Sequence, residues 1–338
     1  MCCIFFDISK AFDKVWHNGL IFKLAQSRCP LYLLNWIKEF LKGRNFRVKV
    51  KNVISDLAEI TASVPQGSPF SPTLFDAYIN DIPKRDISNC SGSLLYADDL
   101  ATMFMFDKRG QIEKTINKYL VLIEKWLIKW KLKMSASKCN YIIFHNGPTR
   151  PALLNLNLFG SKIPFDPNPT FLGVTFDERL TFKTYVKNIK SKVQNRLNII
   201  RILSSNYWKL NSALLLQIYS ALVRSITDCL AFAVSLFSRE KLDTIQAIQN
   251  SAFRSIFHLS FDTSSIELLD LAKSYGFPSL VDRANYLNET YFEKCMNFSN
   301  PLIIKLACEY RKGFQARNIE HKTILCPHSD VFSIIVMS

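Results

Sequence analysis

The sequence predicts an α+β half followed by an almost wholly helical half, and three observations carry that reading. Up to about residue 176, short apolar runs of strand length alternate with segments of helical periodicity. From about 181 onward the pattern is helical nearly throughout. Between the two, residues 148–169 are rich in Pro and Asn and mark the seam.

Residues 2–6 are an apolar run, read as a buried strand that delivers Asp7 at its end. Helical patterns follow at 18–27 and 31–42, split by Pro30. Residues 46–51 alternate basic and apolar, predicting a strand with one wet, positive face, and turn chemistry at Asn52 and Asp56 precedes a second strand near 57–64. Residues 64–68 are a loop, after which Ser71, as the cap, and Pro72 open a helix running to about 81. The runs at 94–96 and 100–106 flank Asp98 and Asp99 and predict a hairpin with acids at its tip. Ile112, Ile116, Tyr119, Leu120, Ile123, Leu127 and Trp130 form the apolar face of a helix over 111–130. A strand at 139–145, an irregular connection and a strand at 171–176 complete the first half.

Lys plus Arg number 43 against 28 Asp plus Glu, a formal charge of +15. A surplus of that size favours polyanionic partners, nucleic acid or an anionic membrane surface, though a basic soluble protein has the same composition. The nine Cys show no C-x-x-C pair and no His at metal-ligand spacing, so they read as reduced, buried thiols of an intracellular protein. The apolar start is too short for a signal peptide. Residues 213–237 are the longest apolar stretch, but Gln217, Arg224 and Asp228 make it a buried helix or two, not a membrane span.

Asp7, Asp98 and Asp99 are acids embedded in apolar surroundings, costly to desolvate unless something positive compensates. A divalent cation is one such compensator: Mg²⁺ takes one or two carboxylates, with phosphate and water completing its shell. A pair of acids in a turn is equally an ordinary turn signal. The residues alone therefore leave a metal site and a plain turn both open.

Five ordered motifs resemble the reverse transcriptases of non-LTR retrotransposons, the jockey-like elements in particular. Residues 6–17 (FDISKAFDKVWH) are similar to the family's first catalytic motif, and residues 63–83, opening SVPQGS, to the second. Tyr96-Ala97-Asp98-Asp99 resembles the metal-binding hairpin, Ser137-Lys138-Cys139 the fourth motif, and Phe171-Leu172-Gly173-Val174 the primer grip. The resemblance spans roughly residues 2–180 and is much less specific beyond. It implies a polymerase palm, an antiparallel sheet backed by helices in a right-hand architecture, over residues 1–150 with residual finger-side elements. A primer-grip hairpin over 151–180 and a helical thumb with a C-terminal extension over 181–338 would follow.

The resemblance also implies roles. Asp7 and Asp98 would hold two Mg²⁺ ions, or Mn²⁺ in their place, with the Ile8 carbonyl as a further oxygen ligand and Asp99 adjacent. Phe12 stands where the family places a gate against a ribose 2′-hydroxyl, although an aromatic there is also ordinary core. Gln66 and Gly67 would lie against the incoming nucleotide and template, Lys138 would reach the triphosphate, and Phe171–Val174 would seat the primer end. Lys183, Lys187, Lys190 and Arg201 fall on one strip of a helix at period 3.6, suited to a nucleic-acid backbone and equally to a solvated face.

The expected partners are an RNA template, a DNA primer and deoxynucleoside triphosphates, with no membrane and with the nucleus or cytoplasm as location. Pro69-Phe70 and Asp76 depart from the family's usual residues. The sequence opens on the first motif, so it reads as a truncated element product, and an inactive, nucleic-acid- or protein-binding remnant is the rival expectation. Oligomeric state is not legible in the sequence.

Overall fold

Strand β1 (Cys2–Asp7) is apolar up to its last residue because both its faces are covered. In the computed structural model, which describes residues 1–84, 92–105, 109–148 and 151–297, it is an inner strand of a four-stranded antiparallel sheet. Side chains alternate across a strand, so Cys2, Ile4 and Phe6 enter the large helix-covered core while Cys3 and Phe5 enter a second, smaller cluster on the opposite face. The chain divides into two units between Leu180 and Thr181.

After β1, helices α1 (His17–Gln26) and α2 (Leu31–Leu41) lead to short strands β2 (Asn45–Phe46), β3 (Lys49–Val50), β4 (Val53–Ile54) and β5 (Ala58–Glu59). The expected strand over 46–51 is thus two fragments, and that at 57–64 shrinks to two residues. β2 pairs with β5 and β3 with β4, and all eight residues are exposed. Alternation enforces a regular strand only where one face is buried, and here neither is.

Helix α3 (Ser71–Ile79) begins with Ser71 inside the helix, not as its cap: Phe70 holds that position, and the buried Ser71 hydroxyl makes no hydrogen bond. Instead Ser68 Oγ accepts from the Phe70 N–H at 3.3 Å. The Phe70 departure is absorbed by an aromatic cluster, its ring meeting Trp36 edge-on at 5.3 Å and Phe40 at 6.2 Å. Strands β6 (Gly92–Tyr96) and β7 (Asp99–Phe104) form the expected hairpin, and Phe106 lies outside the described residues. Helix α4 (Arg109–Lys129) covers the sheet with Ile116, Tyr119, Leu120, Ile123 and Leu127, and β8 (Asn140–Ile143) pairs with β1.

The Pro-rich connection is not structureless. It holds a hairpin of β9 (Asn157–Leu158) and β10 (Ser161–Lys162), and the expected strand at 171–176 is a second hairpin of β11 (Thr170–Phe171) and β12 (Val174–Thr175). Both turn on an X-Gly pair with positive φ, Phe159-Gly160 (50° and 72°) and Leu172-Gly173 (47° and 80°). That geometry matches the twist of the flanking strands and favours Gly at the second position. Phe and Leu are poor residues for the first position, which hides these turns from a search for Asn-Gly or Asp-Gly.

In the second unit, α5 (Lys183–Leu203) packs Val186, Ile189, Val193, Leu197 and Ile200 inward. α6 (Ser212–Tyr219) continues through a π turn, Ser220–Arg224, the short α7 (Ser225–Thr227) and a 3₁₀ stretch, Asp228–Leu236. α8 (Arg239–Ile256), α9 (Ser265–Ser274) and α10 (Leu280–Asn297) complete the described part; the expected extension beyond 297 lies outside it. Among the described residues, Ser212–Leu236 is long and apolar enough to cross a membrane, with mean hydropathy 1.3. Its ionised residues are bonded as in a core helix: Arg224 donates to Gln249 Oε1 at 2.9 Å, and Asp228 takes Arg283 at 3.1 Å. Cys2, Cys3 and Cys139 are buried as expected, but Cys229 is exposed, and Cys90, Cys308 and Cys326 are outside the described residues.

Candidate active site

Strand register brings the acids together. β1 runs antiparallel to β7 with Asp7 directly opposite Asp99, so the two carboxylates lie on the same sheet face, beyond Phe5 and Ala101. Asp98 sits beside them in the two-residue turn between β6 and β7, whose first residue, Ala97, has φ of 49°. A left-handed alanine costs roughly 1–2 kcal/mol, so this tight tip is held by the ladder on either side of it. Lys138, ahead of β8, places Nζ 3.4 Å from Asp7 Oδ2.

The electrostatics are those of an under-compensated acid cluster. Asp7 Oδ2 is buried and makes no hydrogen bond. The Asp99 carboxyl is raised above its ordinary 3.8, by burial first and then by Asp98 and Asp7. A raised acid contributes stability that is present below 3.8 and lost as pH rises through its folded value. At pH 7 in chelator, Asp99→Asn should therefore melt at a higher temperature than the parent, the difference closing below pH 3.8. Melting curves across pH check this, and no gain at pH 7 would mean the three acids do not oppose one another.

These features fit a hard cation, with Asp7, Asp98 of the turn and Asp99 of β7 as the available carboxylates. Among the described residues no three His, Cys, Asp or Glu side chains close on one point as a complete metal cage. Mg²⁺ does not require one, since phosphate oxygens and water supply most of its shell. Ile8, next to Asp7, has a buried side chain and a backbone bridged to Met134.

The first and second motifs are knitted by two backbone bonds and one between side chains. Val64 N–H donates to Phe12 O at 3.0 Å, Ser63 N–H to Val15 O at 2.9 Å, and Gln66 Nε2 to Asp13 Oδ1 at 3.0 Å. Gly67 has φ of 89° with open space where a Cβ would stand, so the backbone conformation, not crowding, demands glycine there. Phe12 is half-buried, stacked on Phe75 at 4.6 Å, and borders a cavity of about 400 Å³ together with Tyr96, Ala97, Asp76 and Lys84. Core packing and a cavity wall are thus both true of this ring.

The β11–β12 hairpin lies against the Asp7 face of the sheet, with Phe171 on Phe5 at 5.2 Å and Leu172 exposed at its tip. Lys183, Lys187, Lys190 and Arg201 are exposed on α5, which belongs to the other unit. Arg201 is committed locally, donating to Asn198 Oδ1 and Ser251 Oγ.

One constellation escapes sequence reasoning. Lys23 on α1 is 5% exposed, bonded to the Tyr78 carbonyl and to Asp81, with its ammonium over the rings of Trp130, Trp126 and Tyr78. Asp81 also accepts from Trp126 Nε1 at 3.2 Å, and the Tyr78 hydroxyl donates to Trp130 O. The end of the second motif thus serves as a structural clasp under the sheet. The only sequence signal was a lysine three residues after buried Leu20, on the apolar side of α1.

The four-stranded sheet thus presents Asp7 and Asp99 at paired strand positions with Asp98 in the adjoining turn. Residues 1–176 match the family model "Reverse transcriptase (RNA-dependent DNA polymerase)", and the chain belongs to that family. It is 27% identical over 322 residues to the RNA-directed DNA polymerase from mobile element jockey of Drosophila funebris, covering 93% of this chain and 34% of that protein. It is 30% identical over 257 residues to the probable RNA-directed DNA polymerase from transposon X-element of Drosophila melanogaster, covering 75% and 28%. The chain thus spans about a third of the length of these relatives. Among solved structures, telomerase from Candida tropicalis aligns at 14% identity and TM-score 0.37, over 80% of this chain and 49% of that one.

Proposed function

We propose that this chain carries the polymerase centre of a non-LTR retrotransposon reverse transcriptase, extending a DNA primer on an RNA template. The observation that carries the reading is the register that sets Asp7 opposite Asp99, beside Asp98 and within 3.4 Å of Lys138 Nζ. In this reading residues 1–150 are the palm, 151–180 the primer-grip hairpin and 181–338 the thumb and extension.

Asp7 and Asp98 hold two Mg²⁺ ions, with Mn²⁺ as a substitute, the Ile8 carbonyl as a further ligand and Asp99 tuning the charge. Bound divalent cations supply charge neutralisation at the triphosphate and make the primer 3′-hydroxyl easier to deprotonate. Lys138, resting on Asp7 in the free protein, turns to the triphosphate, where it offers a cation and a proton. Gln66, oriented by Asp13, and Gly67 face the nucleotide and template; Phe171, Leu172, Gly173 and Val174 seat the primer end. Lys183, Lys187, Lys190 and Arg201 meet the nucleic-acid backbone. Phe12, at the wall of the cavity beside Tyr96 and Ala97, excludes a ribose 2′-hydroxyl by volume.

The test is primer extension on an RNA template with Mg²⁺, offering deoxy- or ribonucleotides. The parent should use deoxynucleotides, and Phe12→Ala should raise relative ribonucleotide use by roughly 10–100-fold. Template-independent addition would reject the reading, and unchanged sugar selectivity would return Phe12 to a purely packing role.

A further inference from the structure

The second unit carries a cavity whose charged lining residues are both arginines, set among hydroxyl, amide and imidazole groups. It holds about 350 Å³ where the C-terminal ends of α5 and α8 meet, and is lined by Arg201, Arg254 and His258 with Ser204, Ser205 and Ser255. Among the described residues no carboxylate lines it. Upstream the chain is strongly biased as well: from residue 181 to 227 there are eight Lys or Arg and no Asp or Glu.

Arginines in the last turn of a helix are common, because they complement the negative end of its dipole. That accounts for the presence of Arg201 and Arg254 and leaves two observations unexplained. Arg254 Nε is buried and has no hydrogen-bond partner, although Nη2 of the same group donates to Thr263 O at 2.9 Å. The guanidinium of Arg254, a lining residue, has donors beyond the one given to Thr263, and those reach an anion in a charge-assisted bond. Large aromatics that follow or touch lining residues stand in water. Asn206, which also lines the cavity, is followed directly by Tyr207 and Trp208, 86% and 51% exposed and in edge-to-face contact at 5.7 Å. Phe261, 87% exposed, holds the Arg254 guanidinium 5.4 Å from its ring centre.

A bare anion would gain little between two helix C-termini. A ligand that joins a phosphodiester to a flat ring gains from both the donors and the aromatics, and nucleic acid with unpaired bases is that ligand. A duplex hides its base faces and leaves these rings without a partner. We infer that the cavity of Arg201, Arg254 and His258 binds a phosphodiester of an unpaired nucleic-acid strand, with neighbouring bases stacked on Tyr207, Trp208 and Phe261. The site belongs to the second unit and needs no divalent cation.

The test is fluorescence anisotropy of the full chain in chelator, with labelled 12-nucleotide U-rich RNA, the equivalent DNA, and a duplex of the same length. Working in chelator keeps the result independent of polymerase activity. Tyr207→Ala with Trp208→Ala, both at exposed positions, should weaken unpaired-strand binding by about 10–100-fold and leave duplex binding unchanged. Arg254→Gln should flatten the salt dependence by about one phosphate contact. Tighter RNA than DNA binding would add a read 2′-hydroxyl, and equal binding would confine recognition to phosphate and base; either supports the site. Unchanged binding by the double aromatic variant overturns the proposal. So does a phosphoserine peptide that binds tighter than the oligonucleotide with the same dependence on Tyr207 and Trp208.

Discussion

Asp7→Asn and Asp98→Asn should each lower Mg²⁺-dependent primer extension by roughly 10²–10³-fold or more, and Asp99→Asn by less. Asp7 stands at the end of a strand covered on both faces, with one carboxylate oxygen buried and unbonded and the exposed Lys138 as its counter-charge. Asparagine keeps the shape, removes the charge and replaces an acceptor oxygen with a donor, so a hard cation loses both attraction and ligand. The fold should persist, because an exposed ion pair of this kind contributes at most about 1 kcal/mol. Thermal melting offers a readout apart from catalysis: Mn²⁺ should raise the melting temperature of the parent and leave Asp7→Asn unmoved. Equal extension by parent and Asp98→Asn would sink the assignment of Asp98, and an equal Mn²⁺ shift that of Asp7.

Lys23→Ala should cost the first unit about 3–4 kcal/mol, a fall in melting temperature of roughly 6–16 °C. Two effects compete at this lysine. Burial pushes its pKa down, and it outweighs the return from Asp81. The faces of Trp130, Trp126 and Tyr78, at 3.8, 4.8 and 4.8 Å, favour the cation. The charge itself therefore contributes little net, and alanine loses chiefly the buried stem and the donor to the Tyr78 carbonyl. Lys23→Met keeps the volume and sheds the desolvated charge, so it should recover more than half of the loss. Urea unfolding followed by tryptophan fluorescence separates the cases. If methionine is as damaging as alanine, the charge decides; if alanine matches the parent, the clasp is not structural.

The long, periodic elements were legible in the sequence because burial wrote them there. Helix α4 announces itself through Ile116, Leu120, Ile123 and Leu127, and β1 through its unbroken apolar run. The short elements were not. The ribbon over 45–59 has no buried face to enforce its pattern, and the hairpins at 157–162 and 170–175 turn on Phe-Gly and Leu-Gly pairs. Ser71 looked like a cap because a serine before a proline usually is one, but the turn one step earlier, closed by Ser68, moved the helix start. Lys23 was invisible for a different reason: its partners lie 55 to 58 residues away, on α3 and just beyond it.

By itself the sequence determined the residue types and their order: an acid at the end of a buried strand, two more in an apolar hairpin, a lysine before a further apolar strand. Their chemistry is local, so a single chain read from end to end contains it. Only the tertiary structure decided which acids face each other. Register fixed Asp7 against Asp99, left Asp98 in the turn and set Lys138 on Asp7, across separations of 92 residues and 131 residues. Such pairings depend on how the strands align once their apolar sides are buried, a property of the packed sheet that no stretch of sequence holds alone.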